Sequence, residues 1–231
     1  VTWSVWPLPV VRTYKDITIT VTANAAPQIH YWEGGDKVVG TDWENLPTMT
    51  TAANPNEYTY TIKDVDEVTG VKFLLKIGDT QTKDQLTTEN VTANFKDLMK
   101  SVVLKGIDED WSDKNKMVIA DDYLSASITL PLTAKDYIWK ITLDGNWLGG
   151  NKYTITRDKN SLAVTENGEN NGTLTADVAG DYTFTWEYAT NTLTVTYPAL
   201  PTPTYDVTVA DATVTTEQWS IDLAGIWEER T

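Results

Sequence analysis

The sequence predicts an all-β protein that contains two consecutive antiparallel β-sandwich domains. Three observations predict this fold. Short runs alternate apolar residues with threonine or other residues, turn-forming residues separate the runs at hairpin-like intervals, and no 3.6-residue period persists. Each run therefore has one face for a core and one face for another environment.

The first half of the chain contains three such runs. Each is rich in β-branched or aromatic residues, and Gly34-Gly35 and Asn54-Pro55-Asn56 provide turn signals among them. The apolar positions of these runs are Ile17, Ile19, Val21, Tyr58, Tyr60, Ile62, Val71, Phe73, Leu75 and Ile77.

The second half repeats the same organisation. Asp144-Gly145-Asn146 and Glu166-Asn167-Gly168 mark its turns. Its alternating apolar positions are Tyr137, Trp139, Ile141, Leu143, Tyr182, Phe184, Trp186, Leu193, Val195 and Tyr197. Among these, we expect Trp139 and Trp186 to be core residues.

Two features divide the chain into segments. A helical turn is predicted around Asn94 to Lys100, just before a new run at Val102-Val103-Leu104. After Tyr197, the prolines of residues 198–203 favour an extended spacer. We therefore predict domains at residues 15–97 and 98–199, and a proline-containing linker with a tail or a truncated next domain at 200–231.

Composition limits the partners of this protein. The chain has 231 residues, a formal net charge of −15 and a pI near 4.3, so it repels nucleic acid and anionic membrane surfaces. No apolar run approaches the roughly 20 residues that span a bilayer, so membrane insertion is not expected. The absence of cysteine fits both a reducing compartment and a bacterial secreted protein. The chain lacks an initiator methionine and reads as a fragment of a longer protein.

Most classes of enzyme are disfavoured by the residues that the chain lacks. It has one histidine, His30, and no cysteine, so nucleophile–base pairs and zinc clusters are not expected. With 33 acidic residues, a chance pair of carboxylates carries no information about a glycosidase site. A structural calcium ion is one interpretation of Asp64–Glu67 or of Asp108–Asp113, and solvated acidic loops are the other. No cofactor is predicted.

A candidate binding surface begins at Pro27–Gly35. Alternation sends Ile29 to one face and His30 and Trp32 to the other, and Trp43 follows a glycine-containing loop. Flat aromatic side chains beside amides or carboxylates form the usual receptor for a sugar ring. The alternative interpretation is that one or both tryptophans belong to the core.

This stretch resembles the family 26 starch-binding modules. The resemblance covers roughly residues 15 to 95 and is carried by Ile29-His30-Tyr31-Trp32, Trp43, Leu46–Met49 and Gln81-Thr82-Lys83-Asp84. It implies that His30 and Trp32 take the places of the paired strand aromatics and that Trp43 is the loop aromatic. It also implies that Gln81 and Asp84 are polar ligand-binding partners. The family more often has tyrosine at the position of His30.

The second half resembles glycogen-binding and pullulanase-type modules related to family 48, over roughly residues 98 to 198. The pattern is Asp110-Trp111-Ser112, Tyr137–Lys140 with Asp144–Trp147, and Asn170-Asn171. The resemblance implies immunoglobulin-like sandwiches and ligand binding by Trp111, Lys140, Trp147, Asn170 and Asn171. The leucine-containing loop of that family is not recognisable here. Alternation independently turns Lys140 outward if its neighbours in the strand are buried.

The resulting expectation is a non-catalytic region that binds starch or a maltooligosaccharide. The region would belong to a larger amylolytic enzyme or surface glycan-binding protein, beside catalytic or other modules of the same parent chain, secreted or on the bacterial cell surface. The alternatives are a spacer or adhesin-type pair of sandwiches that contacts a protein, and the binding of another polysaccharide.

Overall fold

The fold is nearly all β. The computed structural model describes residues 11–164 and 170–202, and these are 51% strand and 5% helix, which confirms the predicted all-β sandwich-type fold. The Glu166-Asn167-Gly168 turn and the tail beyond residue 202 lie outside the described residues. The chain divides into two compact units, Val1–Pro198 and Ala199–Thr231, and the first contains every strand described below.

The first half of the larger unit forms two sheets, which together are called the first sandwich. One has the order β3-β4-β1-β8, and in the other β5 lies between β2 and the short strands β6 and β7. The strands are β1 (Tyr14–Thr22), β2 (Gln28–Trp32), β3 (Thr50–Thr51), β4 (Glu57–Asp66), β5 (Val71–Ile77), β6 (Thr80–Gln81), β7 (Gln85–Thr87) and β8 (Val91–Asn94).

Period-two alternation fills the core of the first sandwich. Ile17, Ile19 and Val21 of β1 are fully buried, as are Phe73 and Leu75 of β5. The sequence predicted these positions, and the structure confirms them. The ladder between β1 and β8 is parallel, however, which alternation within a single strand does not indicate.

The second half forms two further sheets, called the second sandwich. One has the order β10-β11-β17-β18-β15, and the other has the order β13-β12-β16-β14 with β9 also paired to β12. The strands are β9 (Val102–Lys105), β10 (Val118–Ile119), β11 (Ser125–Leu132), β12 (Lys135–Leu143), β13 (Asn146–Leu148), β14 (Thr154–Ile155), β15 (Ser161–Ala163), β16 (Gly172–Ala176), β17 (Gly180–Glu187) and β18 (Thr192–Thr196).

Large aromatic side chains dominate the second core. Trp139, Trp186, Tyr182 and Phe184 are fully buried in one cluster, which confirms the expectation for both tryptophans. The indole Nε1 atoms of Trp139 and Trp186 have no hydrogen-bond partner, so these rings stabilise the core through packing and apolar burial.

A single helical turn, α1 (Phe95–Leu98), joins the two sandwiches, and the prediction of a turn at Asn94 to Lys100 is confirmed. The side chain of Asn94 caps it by accepting a 3.0 Å hydrogen bond from the Lys96 N–H. Phe95 and Leu98 belong to the first core. The short helix thus anchors the connection in the first sandwich.

The junction is closed by residues from both sandwiches. Tyr123 belongs to the second half of the chain, yet it packs in the first core with its ring 4.7 Å from that of Phe95. Its hydroxyl accepts a 3.0 Å hydrogen bond from the Asn24 N–H, and the Tyr188 hydroxyl donates a 2.9 Å hydrogen bond to the Lys100 carbonyl. Buried contacts of this kind hold the two sandwiches against each other. None of the helices among residues 11–164 and 170–202 has the length and apolarity of a membrane-spanning segment.

We expect Tyr123→Ala to lower the free energy of unfolding by about 3 to 5 kcal/mol, because truncation of a buried aromatic ring leaves a cavity. Tyr123→Phe keeps the ring and removes one hydrogen bond, which should cost about 1 kcal/mol. Chemical denaturation followed by tryptophan fluorescence measures both. Equal stability of Tyr123→Ala and the parent would show that this ring does not join the two cores.

Candidate functional site

The first aromatic site consists of His30, Trp32 and Trp43. Strand β2 buries Ile29 and turns its neighbour His30 to the opposite face, as predicted. The rings of His30 and Trp32 are stacked, with centroids 4.9 Å apart and planes inclined by 23°. Two successive outward positions of one strand therefore bring two aromatic rings into face-to-face contact on the outer face of the sheet.

Trp43 lies at the side of the stacked His30 and Trp32 rings. It opens a 3-10 turn, Trp43–Asn45, which Asp42 caps by accepting a 3.2 Å hydrogen bond from the Glu44 N–H. The indole is 47% exposed, and its ring meets that of His30 edge-on, with centroids 5.0 Å apart and planes at 90°. The interpretation of Trp43 as a core residue is wrong, because the capped turn holds it at the surface.

Thr41 fastens the Trp43 loop to β2. Its N–H donates to the Tyr31 carbonyl at 3.0 Å, and its hydroxyl oxygen accepts from the Tyr31 N–H at 3.1 Å. The same hydroxyl lies 2.8 Å from Nδ1 of His30. Gly40 lets the loop approach closely, since a Cβ atom there would lie 3.1 Å from the Tyr31 carbonyl oxygen. These contacts fix Trp43 relative to the strand aromatics.

The outer face of β5 continues the first aromatic site. Leu74 pairs with His30 in register and is only 5% exposed, although it lies outside the core cluster. Side chains on the outer face must therefore cover it. Lys76, two residues further along β5, pairs with Gln81 of β6, which places Gln81 on the same face as His30.

The remaining predicted polar partner, Asp84, is exposed in the loop between β6 and β7. Its neighbours have structural roles. The Thr82 hydroxyl is buried and accepts from the Leu75 N–H at 2.9 Å. The Lys83 ammonium reaches Asp144 of the second sandwich at 3.2 Å. Of the predicted polar pair, the strand register thus joins only Gln81 to the aromatic surface.

The second aromatic site consists of Trp111, Lys140 and Trp147. The two indoles are 42% and 47% exposed, with centroids 6.2 Å apart and planes inclined by 51°. The Lys140 ammonium lies 5.6 Å from the centroid of the Trp147 ring, within the range of a cation–π contact. Three residues predicted from separate motifs are therefore brought together.

Strand β12 and its hairpin position two of them. Tyr137, Trp139 and Ile141 are buried, which turns Lys140 to the outer face as expected. The hairpin pairs Thr142 with Trp147, so Trp147 shares the face of Lys140.

Trp111 comes from the loop after β9. Gly106 has a φ of +87°, and a Cβ atom there would lie 3.0 Å from the Trp111 ring and 2.9 Å from the Ile138 carbonyl oxygen. Only glycine accommodates both the conformation and the close approach.

In the same loop, hydrogen bonds from the Ser112 side chain and then from its backbone N–H lower the pKa of Asp110.

The asparagine pair lies near Lys140. Asn171 directly precedes Gly172, which pairs with Trp139, so Asn171 lies at the end of that ladder beside the position of Lys140. Both asparagines are exposed, and the Asn170 carbonyl accepts a 2.8 Å hydrogen bond from the Gly150 N–H. Their amides are available at the edge of the second aromatic site.

Sequence reasoning missed Lys105 at the second aromatic site. This residue of β9 is 5% exposed, its ammonium donates to the Trp111 carbonyl at 3.2 Å, and it also pairs with Asp113. It lies 5.7 Å from the centroid of the Trp147 ring. No local sequence pattern indicates this role, because Lys105 reaches the site only through the pairing of β9 with β12, which sets it opposite Lys140.

Two of the carboxylates considered for calcium, Asp66 and Asp113, are engaged with donors of the protein itself. Asp66 accepts from the Val68 and Thr69 N–H groups at 2.9 and 3.1 Å and pairs with Arg12 at 3.2 Å. Asp113 pairs with Lys105. Within the described part of the chain, no three histidine, cysteine or acidic side chains are grouped so that they could hold a metal ion.

Comparison with known proteins adds no relative. A scan against protein-family models gave no match, and a search of curated proteins gave none either.

We expect Thr41→Val to lower the free energy of unfolding by about 1 to 2 kcal/mol, because Tyr31 N–H and His30 Nδ1 both lose their hydroxyl partner. The loosened loop should also change the fluorescence of Trp43. Thr41→Ser keeps the hydroxyl and is the matched control. Thermal melts and emission spectra of the three proteins test this, and a valine variant identical to the parent in both would contradict it.

Proposed function

We propose that this region is a non-catalytic binder of starch-type α-glucan, with one site on each sandwich. The observation that carries the proposal is the pair of exposed aromatic groups, each beside polar side chains on the outer face of a sheet. Exposed aromatic groups of this kind on a folded domain indicate a surface that binds a ligand or a partner.

The chemistry of a sugar ring fits both groups. A pyranose presents an apolar C–H face that packs on an indole or imidazole ring, and a rim of hydroxyls that needs donors and acceptors. At the first aromatic site, the stacked His30 and Trp32 rings and the exposed Trp43 indole offer aromatic surface, and Gln81 offers an amide. At the second, Trp111 and Trp147 offer two rings, and the polar groups come from Lys140 and the asparagine pair.

Ring orientation favours a curved glucan. Trp43 stands perpendicular to His30, and the indoles of Trp111 and Trp147 are inclined by 51°. Rings that face different directions follow a chain that curves, as an α-1,4-glucan does, whereas the flatter chains of cellulose or xylan suit coplanar rings. This supports starch or a maltooligosaccharide over the other polysaccharides.

The resemblances of the two halves to family 26 and family 48 modules support the same proposal. We place the region in a larger amylolytic enzyme or surface glycan-binding protein, secreted or at the bacterial cell surface. A protein partner is the competing interpretation of the same exposed rings, and the measurements below separate the two.

We expect Trp32→Ala and Trp43→Ala each to weaken binding of maltoheptaose at the first site by about 1 to 3 kcal/mol, as truncation of other anchoring aromatics does. Trp147→Ala should weaken only the second site. Isothermal titration calorimetry measures the affinities. A thermal melt should show little change for Trp43→Ala and Trp147→Ala, whose side chains are 47% exposed, and only a small change for the half-buried Trp32. Each set of variants is the control for the other site.

Two outcomes would contradict this proposal. The first is that the parent protein releases no heat on titration with maltoheptaose and does not sediment with insoluble starch. The second is that Trp32→Ala binds like the parent or melts as a core deletion would, which would show that the first site is misplaced.

We also expect glucan affinity to change little between low and high salt, because stacking and hydroxyl hydrogen bonds involve no ion pair with the ligand. Titrations at two salt concentrations, with insoluble starch beside cellulose and xylan in a sedimentation assay, measure this. A steep loss of affinity with salt would favour a charged partner, such as an acidic or basic protein surface.

A further inference from the structure

We infer that Lys105 is a positioning residue of the second aromatic site: it holds the Trp111 loop from beneath and so sets the angle between Trp111 and Trp147. The inference rests on the proposed function, because it concerns how that site achieves its affinity. Lys105 itself is only 5% exposed, so a ligand could contact no more than a small part of its surface.

The placement of Lys105 is costly for stability. Burial of an ammonium group is unfavourable unless the charge is paired, and its partner Asp113 has a side chain that is 84% exposed. The strand register also sets Lys105 directly opposite Lys140. An apolar residue would serve the strand better, so the lysine calls for another role.

Its contacts indicate that role. The ammonium binds the loop at two points, the Trp111 carbonyl at 3.2 Å and the Asp113 carboxylate, and lies 5.7 Å from the centroid of the Trp147 ring. One buried group thus contacts the backbone of one tryptophan and approaches the ring of the other. The Gly106 N–H donates to the Asp110 carbonyl at 2.8 Å and ties the first part of the loop, whereas Lys105 ties the part that follows, at Trp111 and Asp113.

Binding depends on this anchor because a loose loop must be ordered when the ligand arrives. That ordering costs free energy, which a loop fixed in advance avoids. The site can therefore lose affinity although Trp111, Lys140 and Trp147 are all still present.

The test uses the whole chain carrying Trp32→Ala and Trp43→Ala, so that only the second site reports. Lys105→Met keeps the apolar stem and removes the charge, and Asp113→Asn weakens the anchor at an exposed position where folding is not at risk. Lys114→Met is the matched control, since Lys114 lies in the same loop but is exposed and 3.8 Å from Asp110. For each variant we would measure maltoheptaose affinity by calorimetry and stability by a thermal melt. Far-ultraviolet circular dichroism reports the exciton couplet between the two indoles, and Trp111→Phe is the reference for its loss.

We expect Lys105→Met to weaken binding about tenfold and to reduce the couplet, Asp113→Asn to do both to a smaller degree, and Lys114→Met to do neither. In the double variant, Asp113→Asn should add little to Lys105→Met, because both remove the same anchor. Affinity and couplet both unchanged in Lys105→Met and Asp113→Asn would overturn the inference, as would an affinity loss with an unchanged couplet. If the background protein with Lys105 intact does not bind maltoheptaose at all, the proposed function of the second site fails instead.

Discussion

The alternation of side chains along each β-strand is the constraint on which the fold and both aromatic sites depend. In β2, burial of Ile29 leaves His30 on the outer face, and in β12, burial of Trp139 and Ile141 does the same for Lys140. The hydrophobic core therefore decides which residues can meet a ligand. A shift of one residue in either register would bury the polar groups and expose the core.

A closed junction holds the two sandwiches together. Tyr123 reaches from the second half of the chain into the first core, and Lys83 of the first half meets Asp144 in the hairpin turn that leads to Trp147. The two aromatic sites are thus carried by sandwiches in direct contact rather than on a flexible tether. Under the proposed function, two contacts to one long glucan would add without the entropy of ordering a linker, which would favour insoluble starch over short oligosaccharides.

The two sites reach their geometry by different physical means. At the first, neutral hydrogen bonds from Thr41 tie the Trp43 loop to β2, and the rings pack on one another. At the second, the buried Lys105 ammonium binds the Trp111 loop, and the ring centroids are further apart. This difference explains why polar substitutions should act through loop order at both sites but leave the core packing unaffected.

The sequence by itself determined the all-β class, the core positions, the helical turn and the outward direction of His30, Trp32 and Lys140, because alternation and turn residues are local properties. The resemblances also proposed Trp43, Trp111 and Trp147 as ligand-binding rings. Only the tertiary structure decided which of these rings lie together, that Gln81 shares the first face while Lys83 serves the junction, and that Tyr123 belongs to the first core. It also revealed Lys105. These facts depend on strand pairings and loop contacts between residues far apart in the chain, and no local pattern encodes which distant segments will pair.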